Sequence, residues 1–152
     1  MQRAAIIGAG ALGLGFLAER LAGDYALHLA DTTPKSELLR RLQDEQGFTV
    51  NLCGRAGATP RRISGPITIS LTDTPEGRAA LDAALHEADI VLTATGTRFL
   101  DGVVAAIRPA LNARSRQVWL LFCENGMRVA ESQAAGFKEH VILADTVMSR
   151  MC

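Results

Sequence analysis

The stretch Ala4-Ala5-Ile6-Ile7-Gly8-Ala9-Gly10-Ala11-Leu12-Gly13 decides the fold of this chain of 152 residues. A short apolar run leads into glycines with the spacing GxGxxG, and a helical pattern follows. Gly8 permits a tight turn, Gly10 lets the backbone approach a pyrophosphate, and Gly13 lets the helix pack closely on the strand. The N–H groups that begin such a helix can hold phosphate oxygens. The predicted dinucleotide contacts in this loop are Gly8, Ala9, Gly10, Ala11, Leu12 and Gly13.

An acidic residue completes the dinucleotide pattern. The apolar run Leu27-His28-Leu29-Ala30 ends in Asp31, about 20 residues beyond the glycines, where an acid accepts hydrogen bonds from the adenosine ribose hydroxyls. Its negative charge would repel a 2′-phosphate, so the sequence predicts NAD as the cofactor rather than NADP. Lys35 follows shortly and could reach a 2′-phosphate, which keeps NADP open. The alternative is a glycine-rich turn beside an ordinary strand-end acid.

Composition restricts the class of protein. The formal net charge is zero, with 16 basic and 16 acidic residues, which argues against a nucleic-acid partner. No apolar run reaches the length of a membrane span, and the N-terminus lacks the pattern of a signal peptide, so we expect a cytoplasmic protein with no membrane partner. Cys53, Cys123 and Cys152 are far apart, and their spacing suggests neither a disulfide framework nor a metal site.

The rest of the chain alternates between strand and helix patterns, which predicts one α/β domain over residues 1–152 with a doubly wound, mostly parallel sheet. We expect helices from Ala11 to Leu21 and from Lys35 to Gln46, the second ended by Gly47. Another helix should begin at Asp73-Thr74-Pro75-Glu76. A later helix has apolar residues at helical spacing, which predicts a core stripe of Phe99, Val103, Val104, Ile107 and Leu111.

Two segments between the second and third helices indicate an inserted β-hairpin. Phe48 to Leu52 alternates apolar and polar residues, as does part of Ile63 to Leu71, with Gly54 to Pro60 between them. This segment also carries the main basic patch, Arg55, Arg61 and Arg62. A solvated hairpin loop explains these arginines, and a phosphate-bearing substrate is the alternative.

Later strands are expected to end beside the glycine loop. The run from Asp89 to Ala94 is followed by Thr95 and Gly96, and in a doubly wound sheet the ligand lies at the carboxyl ends of the strands. We therefore expect residues 93–97 to line the cofactor groove. The strand from Gln117 to Cys123 ends in Glu124 and Asn125, and a last strand from Val141 to Ala144 precedes Asp145.

Three segments resemble the Rossmann domain of the polyol-specific long-chain dehydrogenases. They are the loop Gly8 to Phe16, the strand end Phe122-Cys123-Glu124-Asn125, and Asp145-Thr146-Val147-Met148-Ser149-Arg150. The resemblance implies oxidation of a secondary hydroxyl of a sugar alcohol, or of its phosphate, with hydride passing to NAD and no metal. It also implies that Glu124 and Asn125 lie at the cofactor. The Asn125 amide could then hydrogen-bond the reacting oxygen. Asn-Gly is otherwise a common turn.

The chain departs from the family pattern at two places. The glycine loop has Ala11 and Leu14 where the family often has Asn and Arg, and Ser149 stands where an acid commonly precedes the arginine. These changes put the substrate class or the activity in doubt.

The family's general base is a lysine of a second, mostly helical domain, and the chain has only Lys35 and Lys138, neither expected at the nicotinamide. We therefore expect the cofactor domain of a longer, truncated enzyme that alone binds NAD(H) weakly and catalyses nothing. The alternatives are a free-standing NAD(H)-binding or sensing module acting through a partner, and a ketopantoate-reductase-like enzyme, which would not explain the segment Cys123-Glu124-Asn125.

Overall fold

The computed structural model describes residues 1–55 and 57–146. The predicted motif residues from Val147 to Arg150, with Cys152, lie outside these ranges. The described strands are β1 (Gln2–Ile7), β2 (Tyr25–Asp31), β3 (Gly47–Gly54), β4 (Gly57–Ser64), β5 (Ile67–Leu71), β6 (Ile90–Thr93), β7 (Val118–Phe122) and β8 (Val141–Asp145). The helices are α1, which joins a π-helical segment (Gly13–Ala18) to an α-helical turn (Glu19–Leu21), α2 (Ser36–Asp44), α3 (Pro75–Glu87), α4 (Thr97–Asn112) and α5 (Val129–Gln133).

Six strands form one sheet in the order β5-β2-β1-β6-β7-β8, and every neighbouring pair is parallel. The first three strands of this sheet along the chain extend from β1 to one edge, and the next three extend from β1 to the other. This reversal is the doubly wound Rossmann order, in which ligands bind where the strand order reverses. The predicted fold is confirmed, and the point of reversal lies between β1 and β6.

Both faces of the sheet are covered, which explains the nearly continuous apolar strands. In β1, Ala5 and Ile7 belong to a buried cluster with residues of α3 and α4, whereas Ala4 and Ile6 belong to a second cluster with residues of α1 and α2. Alternate side chains of a strand point to opposite faces, so each strand contributes to two cores. Within the described ranges, no helix is both long and apolar enough to cross a bilayer.

The inserted hairpin exists, but its second strand was predicted wrongly. β3 pairs with β4 in antiparallel register from Gly47 and Ser64 to Gly54 and Gly57, so most of the expected loop is strand. The segment predicted as one strand from Ile63 to Leu71 divides at residues 65–66, and its second half is β5, the parallel edge strand of the main sheet. Gly65 and Pro66 end the pairing of β4 with β3, and the chain then turns so that β5 pairs with β2.

The basic patch of the hairpin attaches it to the body of the domain. Arg61 forms an ion pair with Glu19 of α1, whose side chain is buried. Arg62 lies 3.5 Å from a carboxylate oxygen of Glu45, just after α2. A two-stranded ribbon is marginal by itself, so these pairs and the buried Phe48 and Ile63 give it tertiary support. Arg61 and Arg62 are exposed, as predicted, but they lie on β4 and not in a loop.

The second helix also ends differently from the prediction. Lys35 lies in a 3₁₀ turn (Thr33–Lys35) before α2, and the residue in the left-handed conformation after α2 is Gln46, with φ of 45°, rather than Gly47. The Gln46 side chain donates to the carbonyl of Ile67 and accepts from its N–H, both at 2.9 Å. This two-way bond offsets the strain of a positive φ and holds the start of β5.

The buried polar residue of β2 is His28, which faces two hydroxyls on β5. Its Nδ1 lies 2.9 Å from Thr68 Oγ1, and its Nε2 lies 3.0 Å from Ser70 Oγ. Burial lowers the pKa of His28 to about 4, from an ordinary value of 6.5. His28 is therefore a neutral, hydrogen-bonded part of the sheet at neutral pH.

We expect the free energy of unfolding to fall as the pH is lowered from 6.5 towards 4. In this window the unfolded chain protonates His28 and the folded chain does not, so the unfolded state binds more protons and gains stability as the pH falls. The full effect is roughly 3 kcal/mol, to be measured by urea denaturation at several pH values.

The variant His28→Gln should flatten this pH dependence whatever its absolute stability. The matched control is His86→Gln, because His86 is exposed on α3. A His28→Gln chain that keeps the wild-type slope would contradict the assignment.

Candidate functional site

The glycine loop after β1 is shaped by contacts within the protein. Gly8 has φ of +106°, and a Cβ atom there would overlap the carbonyl of Ala94 at the end of β6. A Cβ atom at Gly13 would overlap the carbonyl of Gly8. Both positions require glycine because backbone approaches backbone. The fold alone therefore explains two of the three glycines of the motif.

Gly10 has a different explanation. A Cβ atom at this position would have no protein atom within 4 Å, and its φ is not in the left-handed region. The bond from Leu14 N–H to the Gly10 carbonyl, 2.9 Å long, begins α1, so the N–H groups of residues 11–13 lie at the start of the helix. Open space beside these donors is the cradle that a pyrophosphate requires. The residues present therefore fit a dinucleotide.

Asp31 lies beside this loop, as predicted. Its Oδ2 accepts a hydrogen bond from the Ala9 N–H at 2.8 Å, and its Oδ1 accepts from the Thr32 N–H at 2.7 Å. The carboxylate thus links the ends of β1 and β2 and is half-buried. One carboxylate both holds the glycine loop and faces the space next to it.

A cleft of about 560 Å³ opens at these strand ends. Four predicted site residues line it: Gly8, Gly10, Asp31 and Thr95. One wall is apolar and includes Leu81, Val103 and Ile107. Phe99 also lines the cleft and is 60% exposed, so its prediction as a core residue was wrong. Leu100, the next residue in the first turn of α4, is buried instead, so the core face of α4 begins at Leu100.

The pair formed by Asp73 and Thr33 was missed by the sequence reasoning. Both oxygens of Asp73 accept from the Thr33 N–H, at 2.8 and 3.0 Å, and Oδ1 accepts from the Thr33 hydroxyl at 2.9 Å. Burial raises the pKa of Asp73, but the hydroxyl and N–H of Thr33 lower it by more, so this pKa lies below its usual value. Asp73 also lines the cleft, and its position directly after β5 was the only available signal.

Glu124 is a buried carboxylate that holds the loop after β6. Its Oε2 accepts from the Gly96 N–H at 2.8 Å, and its Oε1 accepts from the N–H and hydroxyl of Thr95 at 3.0 and 3.3 Å. The structure thus brings three predicted site residues together, with Glu124 supporting the backbone of the other two. Gly96 has φ of +85° and directly precedes α4.

Asn125 lies at the same edge of the sheet, one residue after Glu124, and is exposed. Cys123, directly before Glu124, is buried, and burial together with the Glu124 charge raises the pKa of its thiol. The thiol is therefore an unreactive part of the core at neutral pH. Within residues 1–55 and 57–146, no group of three His, Cys, Asp or Glu side chains is placed to hold a metal ion.

The remaining predicted residues lie outside the main cleft. Leu12 packs against the buried cluster beside α1, so only its backbone can serve a ligand. Ala11 and Lys35 line a second cleft of about 570 Å³ between α1, α2 and the hairpin, which Ala9 and Gly10 also border. Lys138 is exposed just before β8, remote in sequence from every residue of the main cleft.

Comparison with known proteins agrees with this geometry. A family model of the mannitol dehydrogenase Rossmann domain matches residues 2–146. The chain belongs to this family. It is 27% identical over 123 residues to mannitol-1-phosphate 5-dehydrogenase of Enterococcus faecalis (strain ATCC 700802 / V583). That match covers 78% of the chain and 31% of the relative, so the chain spans about a third of that enzyme's length.

Two solved structures share the Rossmann fold of this mannitol dehydrogenase domain. D-sorbitol dehydrogenase in substrate-free form superimposes with a TM-score of 0.65 at 14% identity, over 88% of the chain and 36% of that protein. A PanE/ApbA family ketopantoate reductase from Ralstonia eutropha JMP134 has a TM-score of 0.60 at 19% identity, over 95% of the chain and 40% of that protein. At these identities the likeness concerns the fold alone, and the family match favours the polyol dehydrogenases over the ketopantoate reductases.

We expect Glu124→Gln to lower the free energy of unfolding by about 2 kcal/mol. The amide keeps one acceptor oxygen but presents an NH₂ group to one of two backbone donors, which breaks a buried, charge-assisted hydrogen bond. Urea denaturation measures the loss, and amide hydrogen exchange should accelerate at Thr95 and Gly96.

The control for this variant is Glu131→Gln on α5. Glu131 forms an exposed ion pair with Arg128, so the same chemical change should cost little. If the two variants are equally stable, Glu124 does not hold the loop.

Proposed function

We propose that the chain is the NAD-binding domain of a polyol or polyol-phosphate dehydrogenase. Such an enzyme transfers hydride to NAD from the carbon that bears a secondary hydroxyl of a sugar alcohol, and the hydroxyl proton goes to a base. The observation that carries the proposal is the open space at Gly10, beside the start of α1 and in the same cleft as Asp31, in a chain of the mannitol dehydrogenase family. The relative from Enterococcus faecalis is named for its action on mannitol 1-phosphate, which supports a sugar alcohol phosphate as the substrate.

The roles of the residues follow from their places. The backbone of residues 8–13 would hold the pyrophosphate, and Asp31 would accept from the ribose hydroxyls. Thr95 and Gly96, supported by Glu124, would border the cofactor further along the strand ends. The cofactor supplies the hydride acceptor, and the chain supplies its orientation.

Two features favour NAD over NADP in this proposal. Asp31 lines the main cleft and carries the charge that would oppose a 2′-phosphate. Lys35, the cation that the sequence left as a possible phosphate ligand, lines the second cleft and not the main one. Its placement there supports NAD.

Asn125 is the residue proposed to act at the reacting carbon. It is exposed at the carboxyl edge of the sheet, beside the Glu124 that anchors the neighbouring loop, so its amide is free to face a substrate oxygen. Alcohol oxidation also needs a general base. The two lysines of the chain are exposed, and neither lines the main cleft.

We expect Gly10→Ala to weaken NADH binding by at least about tenfold, because the added methyl group enters the space proposed for the pyrophosphate. The melting temperature should stay near that of the wild type or rise slightly, since no protein atom is within 4 Å. Isothermal titration and thermal denaturation measure the two effects.

Gly23→Ala is the matched control, because Gly23 also has no atom within 4 Å of an added Cβ and lies beyond the other end of α1. It should bind NADH as the wild type does. If the two variants bind NADH with equal affinity, the pyrophosphate does not bind at this loop.

We further expect the 152-residue chain alone to bind NAD and to show no polyol-dependent NADH formation, because its lysines do not supply a base at the cleft. NADH absorbance is followed with mannitol and with mannitol 1-phosphate. Turnover above the rate without enzyme would disprove this expectation and point to a base within the chain.

A further inference from the structure

We infer that Asp73 is a second determinant, beside Asp31, of the preference for NAD over NADP. The inference rests on the proposed function and adds a residue to its specificity. Asp73 disfavours NADP because it accepts hydrogen bonds from Thr33, and these occupy the donors that a 2′-phosphate would need at the end of β2.

The hydrogen-bond donors of the loop after β2 are bonded to two different carboxylates. The Thr32 N–H donates to Asp31 at 2.7 Å, and the next N–H, of Thr33, donates to both oxygens of Asp73 at 2.8 and 3.0 Å. The Thr33 hydroxyl donates to Asp73 as well, at 2.9 Å. Two consecutive backbone donors and a hydroxyl are thus already bonded to anions of the chain itself.

A phosphate group binds where several N–H and O–H donors converge and where the local charge is positive. The residues after β2 meet neither condition. Asp31 and Asp73 accept from the donors, and both carboxylates line the cleft together with Asp82, against the single positive charge of Arg78 in that lining. A 2′-phosphate placed there would meet two negative charges and would have to displace internal hydrogen bonds. Rejection by unfavourable charge is a recognised means of specificity.

The start of α3 does not account for Asp73. The helix is capped by Thr74, whose hydroxyl oxygen accepts from the Gly77 N–H at 3.1 Å, and Pro75 follows in the first turn. Asp73 instead reaches across to the loop of the neighbouring strand. Its carboxylate therefore serves the cleft and the loop after β2.

The cleft also contains a cation that could hold a phosphate once Asp73 is removed. Arg78 lines the cleft and donates to the carbonyl of Thr72 at 3.3 Å. With Asp73→Ala, the N–H and hydroxyl of Thr33 lose their acceptor, and Arg78 remains in the lining of the cleft. The donors of Thr33, now bonded to Asp73, would then donate to the phosphate oxygens.

The test is the ratio of the dissociation constants for NADPH and NADH, measured by fluorescence titration on the whole chain. Wild type should prefer NADH, and Asp73→Ala should lower the ratio by about tenfold, mainly by tighter NADPH binding. Asp73→Asn, which removes the charge but keeps an acceptor oxygen for Thr33, should lower it by less. Asp24→Asn is the control for net charge, since Asp24 is exposed in the turn before β2, and it should leave the ratio unchanged.

Each outcome of this titration either supports or overturns the inference about Asp73. A ratio for Asp73→Ala equal to that of Asp24→Asn, or an equal loss of affinity for both nucleotides, would show that Asp73 only holds the loop and would overturn the inference. A wild-type chain that prefers NADPH would overturn it too. If wild type binds NADH and only the ratio fails to move, this inference alone falls. If wild type binds neither nucleotide, the proposed function falls and the inference with it.

Discussion

A carboxylate at the end of one strand, bonded to a backbone N–H of the segment that follows the neighbouring strand, is the interaction on which the site depends. The described residues show it at four places along the sheet. Asp31 binds Ala9, Asp73 binds Thr33, Glu124 binds Thr95 and Gly96, and Asp145 binds Ala130. Each acid lies at or just beyond its strand, so each turn is tied to the strand beside it.

This arrangement suits a nucleotide site in physical terms. Backbone donors at strand ends would otherwise need water or a ligand, because loops there have no ladder to satisfy them. Carboxylates satisfy some of these donors and hold the loops in one conformation, which lowers the entropy lost when a ligand binds. The glycine loop is held by Asp31 and by close backbone contacts, while Gly10 and the start of α1 stay open. The ligand then meets a preformed surface.

The sequence predicted the fold well because the fold is carried by local signals. The apolar runs, the glycine spacing and the alternation of strand and helix patterns predicted the parallel sheet. They also predicted that Asp31, Thr95 and Glu124 lie at its carboxyl edge. The predictions were wrong where contacts between residues remote in sequence determine the structure. The segment after Ile63 divides because β5 pairs with β2, and Phe99 lines the cleft while Leu100 beside it is buried in the core. The arginines of the hairpin find acids on α1 and after α2, which no local pattern indicates.

By itself, the sequence determined the fold class and the edge of the sheet where the cofactor is expected, because backbone geometry requires glycine and an acid at positions that can be read in order along the chain. The family came from the resemblance of its motifs. Only the tertiary structure decided what those residues touch. It separated Gly8 and Gly13, needed by the fold, from Gly10, beside which the space is open, and it brought Asp73 to Thr33 across 40 residues of sequence. The reason is that parallel strands meet at one edge only after the chain has crossed the sheet, so neighbours at that edge are remote in sequence.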